Sequence, residues 1–105
     1  MISIGQSYNR KTMNCAHFVA QFFNVPAPDD EAKFIRWMRK NFTPIEKAEE
    51  GCLIVVGPPL HVGVYTDWSV KHMQNEADGG QLVKVEMAIF KQTYKNIRFY
   101  RHGAD

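Results

Sequence analysis

Two side chains in this sequence are of the right kind to act as a nucleophile and its base: Cys15 and His61. Cys15 begins an apolar stripe with Phe18, Val19, Phe22 and Phe23, and that spacing predicts a helix from 14 to about 23. Asn14 is a good N-cap for this helix, because its side-chain oxygen can accept from an orphan N–H of the first turn. The N-terminal end of a helix carries partial positive charge, which favours thiolate over thiol and should lower the pKa of a cysteine there. Thiolate is the nucleophilic form, so a helix-start cysteine with a distant histidine suits covalent catalysis. The plainer use of Cys15 is as a core thiol beside Phe18 and Val19.

His61 opens a strand just after Gly57-Pro58-Pro59. Along that strand His61, Gly63 and Tyr65 share one face, and Val62 and Val64 share the other. A two-residue hairpin turn at Asp67-Trp68 would pair 66 with 69. Gln74 then lies directly across from His61. His72 lies diagonal to it, with Cα atoms about 7–8 Å apart. A register shifted by two would put His72 directly opposite instead. Either residue could orient the imidazole, the third role in a triad. Gly63 leaves room beside them.

The other candidates are weaker. His17 lies about 200° around the helix from Cys15 and should be structural or solvent-exposed. His102 lies near an end expected to be disordered. Cys52 starts a strand, is expected in the core, and is not expected on the His61 face. Zinc would compete for Cys and His, but Cys15-x-His17 lacks the usual ligand spacing, so no metal or other cofactor is expected. No phosphate loop or dinucleotide glycine pattern appears.

These residues need a frame. The apolar face of Phe34, Ile35, Met38 and Phe42 predicts a second helix from about 29 or 30 to 41, with Asp29, Asp30 and Glu31 at its positive end. It then gives way to Thr43-Pro44. From residue 51 the texture changes to short β-branched runs. Strands are expected at 53–56, 61–66, 69–74, 81–85 and 97–101, while 87–95 fits neither period. Helices followed by an antiparallel sheet imply an α+β fold.

The chain has 105 residues, 45% of them hydrophobic and 23% charged, which fits one globular domain spanning residues 1–105. A net charge of +2 without a long Lys/Arg run does not suggest nucleic-acid binding. No apolar run approaches the roughly 18 residues of a membrane span, and the N-terminus lacks the regions of a signal peptide. Cytoplasmic synthesis is the expectation. Work in the cell envelope would need another route, such as a virion or a dedicated secretion machine. The two cysteines read as free thiols in different environments rather than as a secreted framework.

The order of these pieces resembles the NlpC/P60 family of papain-like cysteine peptidases. Gly5-Gln6-Ser7-Tyr8 followed by Asn14-Cys15-Ala16-His17-Phe18-Val19 is similar to that family's Gly-x-Pro-Tyr element and Asp-Cys-Ser-Gly-Phe/Leu-Val box. Gly51-Cys52-Leu53-Ile54-Val55 resembles its Gly-Asp-Leu-Val-Phe strand. His61-Val62-Gly63-Val64-Tyr65 resembles its His-Val-Gly-Ile-Tyr strand, and Val70-Lys71-His72 falls where its third catalytic residue lies. The resemblance implies a papain-like core with Cys15 as nucleophile, His61 as base and His72 as orienting residue. Tyr8 would lie near the oxyanion side, with Asn14 and Gln74 as further candidates to line the substrate site. It also implies hydrolysis of amide bonds in bacterial cell-wall peptides, with a peptide or peptidoglycan fragment as substrate.

The departures from that pattern are Asn14 for Asp, Ala16-His17 for Ser-Gly, and Cys52 for Asp. Asn-Cys-Ala-His-Phe-Val is also similar to the Asn-Cys-Glu-His-Phe-Val box of lecithin:retinol acyltransferase-like proteins. In those relatives the histidine strand precedes the cysteine, whereas here the cysteine comes first. That box implies an alternative, an acyltransferase or thioesterase using the same triad, and a separate alternative is a binding or phage-tail structural module that kept the fold without the reaction.

Overall fold

Asn14 caps helix α1 (Cys15–Phe22), its side-chain oxygen accepting from the His17 N–H at 2.9 Å. His17 completes a reciprocal box, its Nδ1 accepting from the Asn14 N–H at 3.3 Å. Its role is therefore structural. The helix closes on Asn24, left-handed at φ 57°. There the Asn24 N–H donates to Gln21 C=O and the Val25 N–H to Ala20 C=O. Asparagine tolerates this conformation better than most residues, so it stands where glycine is commoner. Helix α2 (Glu31–Asn41) starts behind Asp30, whose carboxylate accepts from the Lys33 N–H at 2.8 Å. The structure, a computed structural model, describes residues 4–5, 7, 14–26, 30–74 and 79–103. The Tyr8 expectation lies outside them.

The rest of the chain builds a six-stranded antiparallel sheet and one more helix, giving an α+β fold. In chain order the elements are β1 (Phe42–Ile45), β2 (Cys52–Val56), β3 (His61–Thr66), β4 (Ser69–Met73), β5 (Leu82–Glu86), α3 (Met87–Thr93) and β6 (Arg98–His102). The spatial order is β1-β6-β2-β3-β4-β5, so the last strand is inserted between the first two. β2 is buried along its whole length. That explains its unbroken run of Leu, Ile and Val, since both of its faces are covered.

The two faces have separate cores. Phe18, Val19, Phe34 and Met38 from α1 and α2 pack on Leu53, Val55, Val62 and Val64. Phe90 of α3 packs on Cys52, Ile54, Val56 and Val70 on the other face. Among the described residues, no helix is long and apolar enough to cross a membrane.

Three sequence expectations are corrected here. Residues 42–45 form a strand, where only an exit from α2 was expected. His102 is the final residue of β6 and packs its ring against Phe23 and Phe42, with centroids 5.0 and 4.9 Å away. Cys52 does lie on the His61 face, because β2 and β3 pair Cys52 with Tyr65 and Val56 with His61. It sits at the far end of the strand from His61, about 13 Å along β2 by strand geometry.

Candidate active site

Cys15 and His61 line one cavity of about 850 Å³ at the end of the sheet where β3 begins. They reach it from opposite faces. Cys15 packs against the α1–α2 core, and His61 lies on the α3 face. They meet because both stand at element starts, the first residue of α1 and the first residue of β3. The β3–β4 pairing runs from Thr66 with Ser69 to Val64 with Lys71 and stops short of Val62. Backbone groups of Val62, Ala16 and Cys15 lie close enough to the Cys15 thiol to stabilise its charged form. The sulfur thus lies against the residue that follows His61 in the chain, and Cys15 and His61 line the same cavity.

These groups favour the thiolate, as expected at a helix start. Burial opposes them and is larger, so the Cys15 thiol is pushed above its ordinary value, and the Glu31 carboxylate adds to the rise. This corrects the expectation of a pKa lowered by the helix N-terminus alone. A thiolate at neutral pH needs a proton acceptor next to it.

The β3–β4 register is the one that the Asp67-Trp68 turn predicts, with 66 opposite 69. His72 is therefore diagonal to His61. Their rings are joined by a hydrogen bond of 2.9 Å between His61 Nε2 and His72 Nδ1. Extending the register puts Gly63 opposite His72. A Cβ on Gly63 would stand 2.8 Å from Lys71 O and 3.0 Å from His72 Cβ, so glycine is what lets the histidine lean in. His72 is only 4% exposed and lies behind His61. Burial, with help from the neighbouring His61 charge, holds its pKa down to about 4, so it is neutral at neutral pH.

Gln74, the other candidate for the third role, turns away. Its Oε1 lies 2.6 Å from where a Cβ of Gly79 would stand, and its backbone N–H donates to Gln81 C=O. Asn14 does line the cavity, although its side-chain oxygen is engaged in the helix cap.

Sequence reasoning missed the aromatic wall. Tyr94, the C-cap of α3, stacks on His61 with centroids 4.9 Å apart and planes at 10°. Phe90 meets His72 at 5.1 Å. Nothing in the spacing of residues 87–95 marks this contact, because it comes from the packing of a short helix. The remaining wall is apolar, with Phe34, Pro58, Pro59, Leu60 and Met73, and charged groups at Asp30, Glu31 and Lys95. Among the described residues, no group of three or more His, Cys, Asp or Glu is arranged to hold a metal ion. No family model matches the chain, and neither curated proteins nor solved structures give a match.

Proposed function

We propose that this chain is a papain-like cysteine hydrolase of the NlpC/P60 kind, with Cys15 as nucleophile, His61 as base and His72 as orienting residue. The observation that carries the reading is the 2.9 Å His61–His72 bond, made behind a histidine that shares its cavity with a helix-start cysteine. The bond occupies Nε2 of His61, so Nδ1 is the nitrogen that takes the thiol proton. The resulting imidazolium donates its Nε2–H to His72, whose neutral ring accepts it. The Cys15 thiolate then attacks the substrate carbonyl carbon. The oxyanion is held by the Cys15 backbone N–H. The C–N bond breaks as His61 returns the proton to the leaving amine, and a thioester remains. Water, deprotonated by His61, releases the acid and restores the thiol. The proposed substrates are amide bonds of bacterial cell-wall peptides, reached through a virion or secretion machine.

The test is the pH dependence of Cys15 alkylation by iodoacetamide, with Cys15→Ala, Cys52→Ala and His61→Ala as comparators. Reactivity well below the ordinary thiol pKa of about 8.5, lost with His61, supports the pair. A Cys15 indifferent to His61 overturns it and leaves a binding or structural module. Turnover of peptidoglycan stem peptides then names the substrate class. The apolar wall of Phe34, Leu60 and Met73 favours one second reading, an acyltransferase or thioesterase. Acyl-ester turnover without peptide cleavage would select it.

A further inference from the structure

Resting on that reading, we infer that Tyr94 is a positioning residue, whose ring fixes the His61 imidazole with Nε2 toward His72 and Nδ1 toward the thiol. The bond to His72 alone does not fix it. Histidine χ2 is a broad torsion, and an imidazole at a cavity wall can turn over, which puts Cε1 where Nε2 stood and Cδ2 where Nδ1 stood and so breaks the bond that selects the tautomer. Here a turn about χ2 would sweep the imidazole edge through the Tyr94 ring, which lies 4.9 Å away and nearly parallel. Tyr94 also stands edge-on to His72 at 5.7 Å and against Phe90 at 4.7 Å, so one aromatic ring touches both histidines. Its electron-rich face additionally favours the charged imidazole that forms during acyl transfer.

The ring is itself held in place. The Tyr94 N–H donates to Phe90 C=O at 3.0 Å, closing α3. The next two residues are tied to the loop that leads into His61. The Gly57 N–H donates to Lys95 C=O at 3.2 Å, and Asn96 Nδ2 donates to Gly57 C=O at 3.3 Å. Gly57 sits at φ +120°, and a Cβ there would lie 2.2 Å from Pro59 O, so only glycine allows the latch. One short loop thus fixes both the imidazole and the ring stacked on it.

The experiment compares Tyr94→Phe with Tyr94→Leu by two readouts. The first is the Cys15 alkylation rate across pH. Tyr94→Phe should stay within about twofold of the parent, and Tyr94→Leu should lose about tenfold near neutral pH, together with the His61-dependent part of the profile. The second is the imidazole nitrogen spectrum in a Cys15→Ala background at about pH 9, well above the ordinary imidazole pKa of about 6.5. With Tyr94 or the Tyr94→Phe substitution, His61 should hold a single tautomer, protonated on Nε2. With Tyr94→Leu it should show both. A folded Tyr94→Leu protein with the parent's tautomer overturns the inference. Should Tyr94→Leu fail to fold, the parent's carbon-bound His61 protons decide it: an upfield ring-current shift supports the stack, and ordinary positions overturn it. An unreactive Cys15 in the parent sinks the hydrolase reading, whereas the tautomer result judges Tyr94 independently.

Discussion

His61 and His72 are diagonal across β3 and β4, and their rings are nonetheless bonded, Nε2 to Nδ1, at 2.9 Å. Directly opposed residues would have stood ring beside ring. The diagonal instead lets one imidazole address the end of the other.

The depressed pKa of His72 makes the fold acid-sensitive. Its folded value of about 4 lies below the ordinary 6.5, so the unfolded chain binds the extra proton between those values. Its contribution is fully present above about pH 6.5 and is lost as pH falls toward 4, with an upper limit of about 3 kcal/mol. Urea unfolding across that window should show stability rising with pH. His72→Gln should flatten the curve there.

Burial raises the Cys15 thiol, so its reactivity depends on His61 more than a solvent-exposed helix-start cysteine would. At neutral pH, His61→Ala should slow iodoacetamide alkylation at Cys15 about tenfold or more. Cys52, only 2% exposed and also shifted up by burial, should stay unmodified in the folded protein. Peptide mapping of the alkylated protein checks both.

Gly63→Ala should damage the site and the sheet together. The added methyl meets a backbone oxygen and the His72 Cβ, neither of which is a flexible side-chain end. A loss of about 1–3 kcal/mol in thermal or urea unfolding is expected, with slower Cys15 alkylation in the protein that remains folded.

Trp68 is 87% exposed and left-handed at φ 65°, at the second position of the β3–β4 turn. That position favours glycine, because a side chain there crowds the backbone. Trp68→Gly should stabilise the protein by about 0.5–1 kcal/mol, the relieved strain exceeding glycine's extra unfolded-state entropy. It should leave alkylation at the other end of the hairpin unchanged.

What could be read from the sequence was local. Asn14 before an apolar 3.6-residue stripe is enough to place a capped helix and its first-turn cysteine. A two-residue turn at Asp67-Trp68 is enough to set the register that puts His61 near His72. β1 escaped because Pro44 argues against a strand, and it is tolerated only because β1 is at the sheet edge. Its partner is Tyr100, a pairing that no nearby residue announces. α3 is short, and its N-cap Glu86 makes no side-chain capping bond, so it lacks the start signal that Asn14 gives α1. Tyr94 was invisible for the same reason, and so was the burial that raises the Cys15 thiol. Both depend on which elements stack over the site.

The strand order also bears on synthesis. Of these six strands β6 is synthesised after the others, yet it fills the place between β1 and β2. Until residues 98–102 have emerged, β2 has an open edge and β1 lacks the neighbour it pairs with. A nascent chain already carrying both Cys15 and His61 therefore holds the two side chains without the finished sheet that aligns them. Alignment of Cys15 with His61 awaits residues 98–102, and cutting before Arg98 should leave a sticky fragment rather than a smaller version of the same fold.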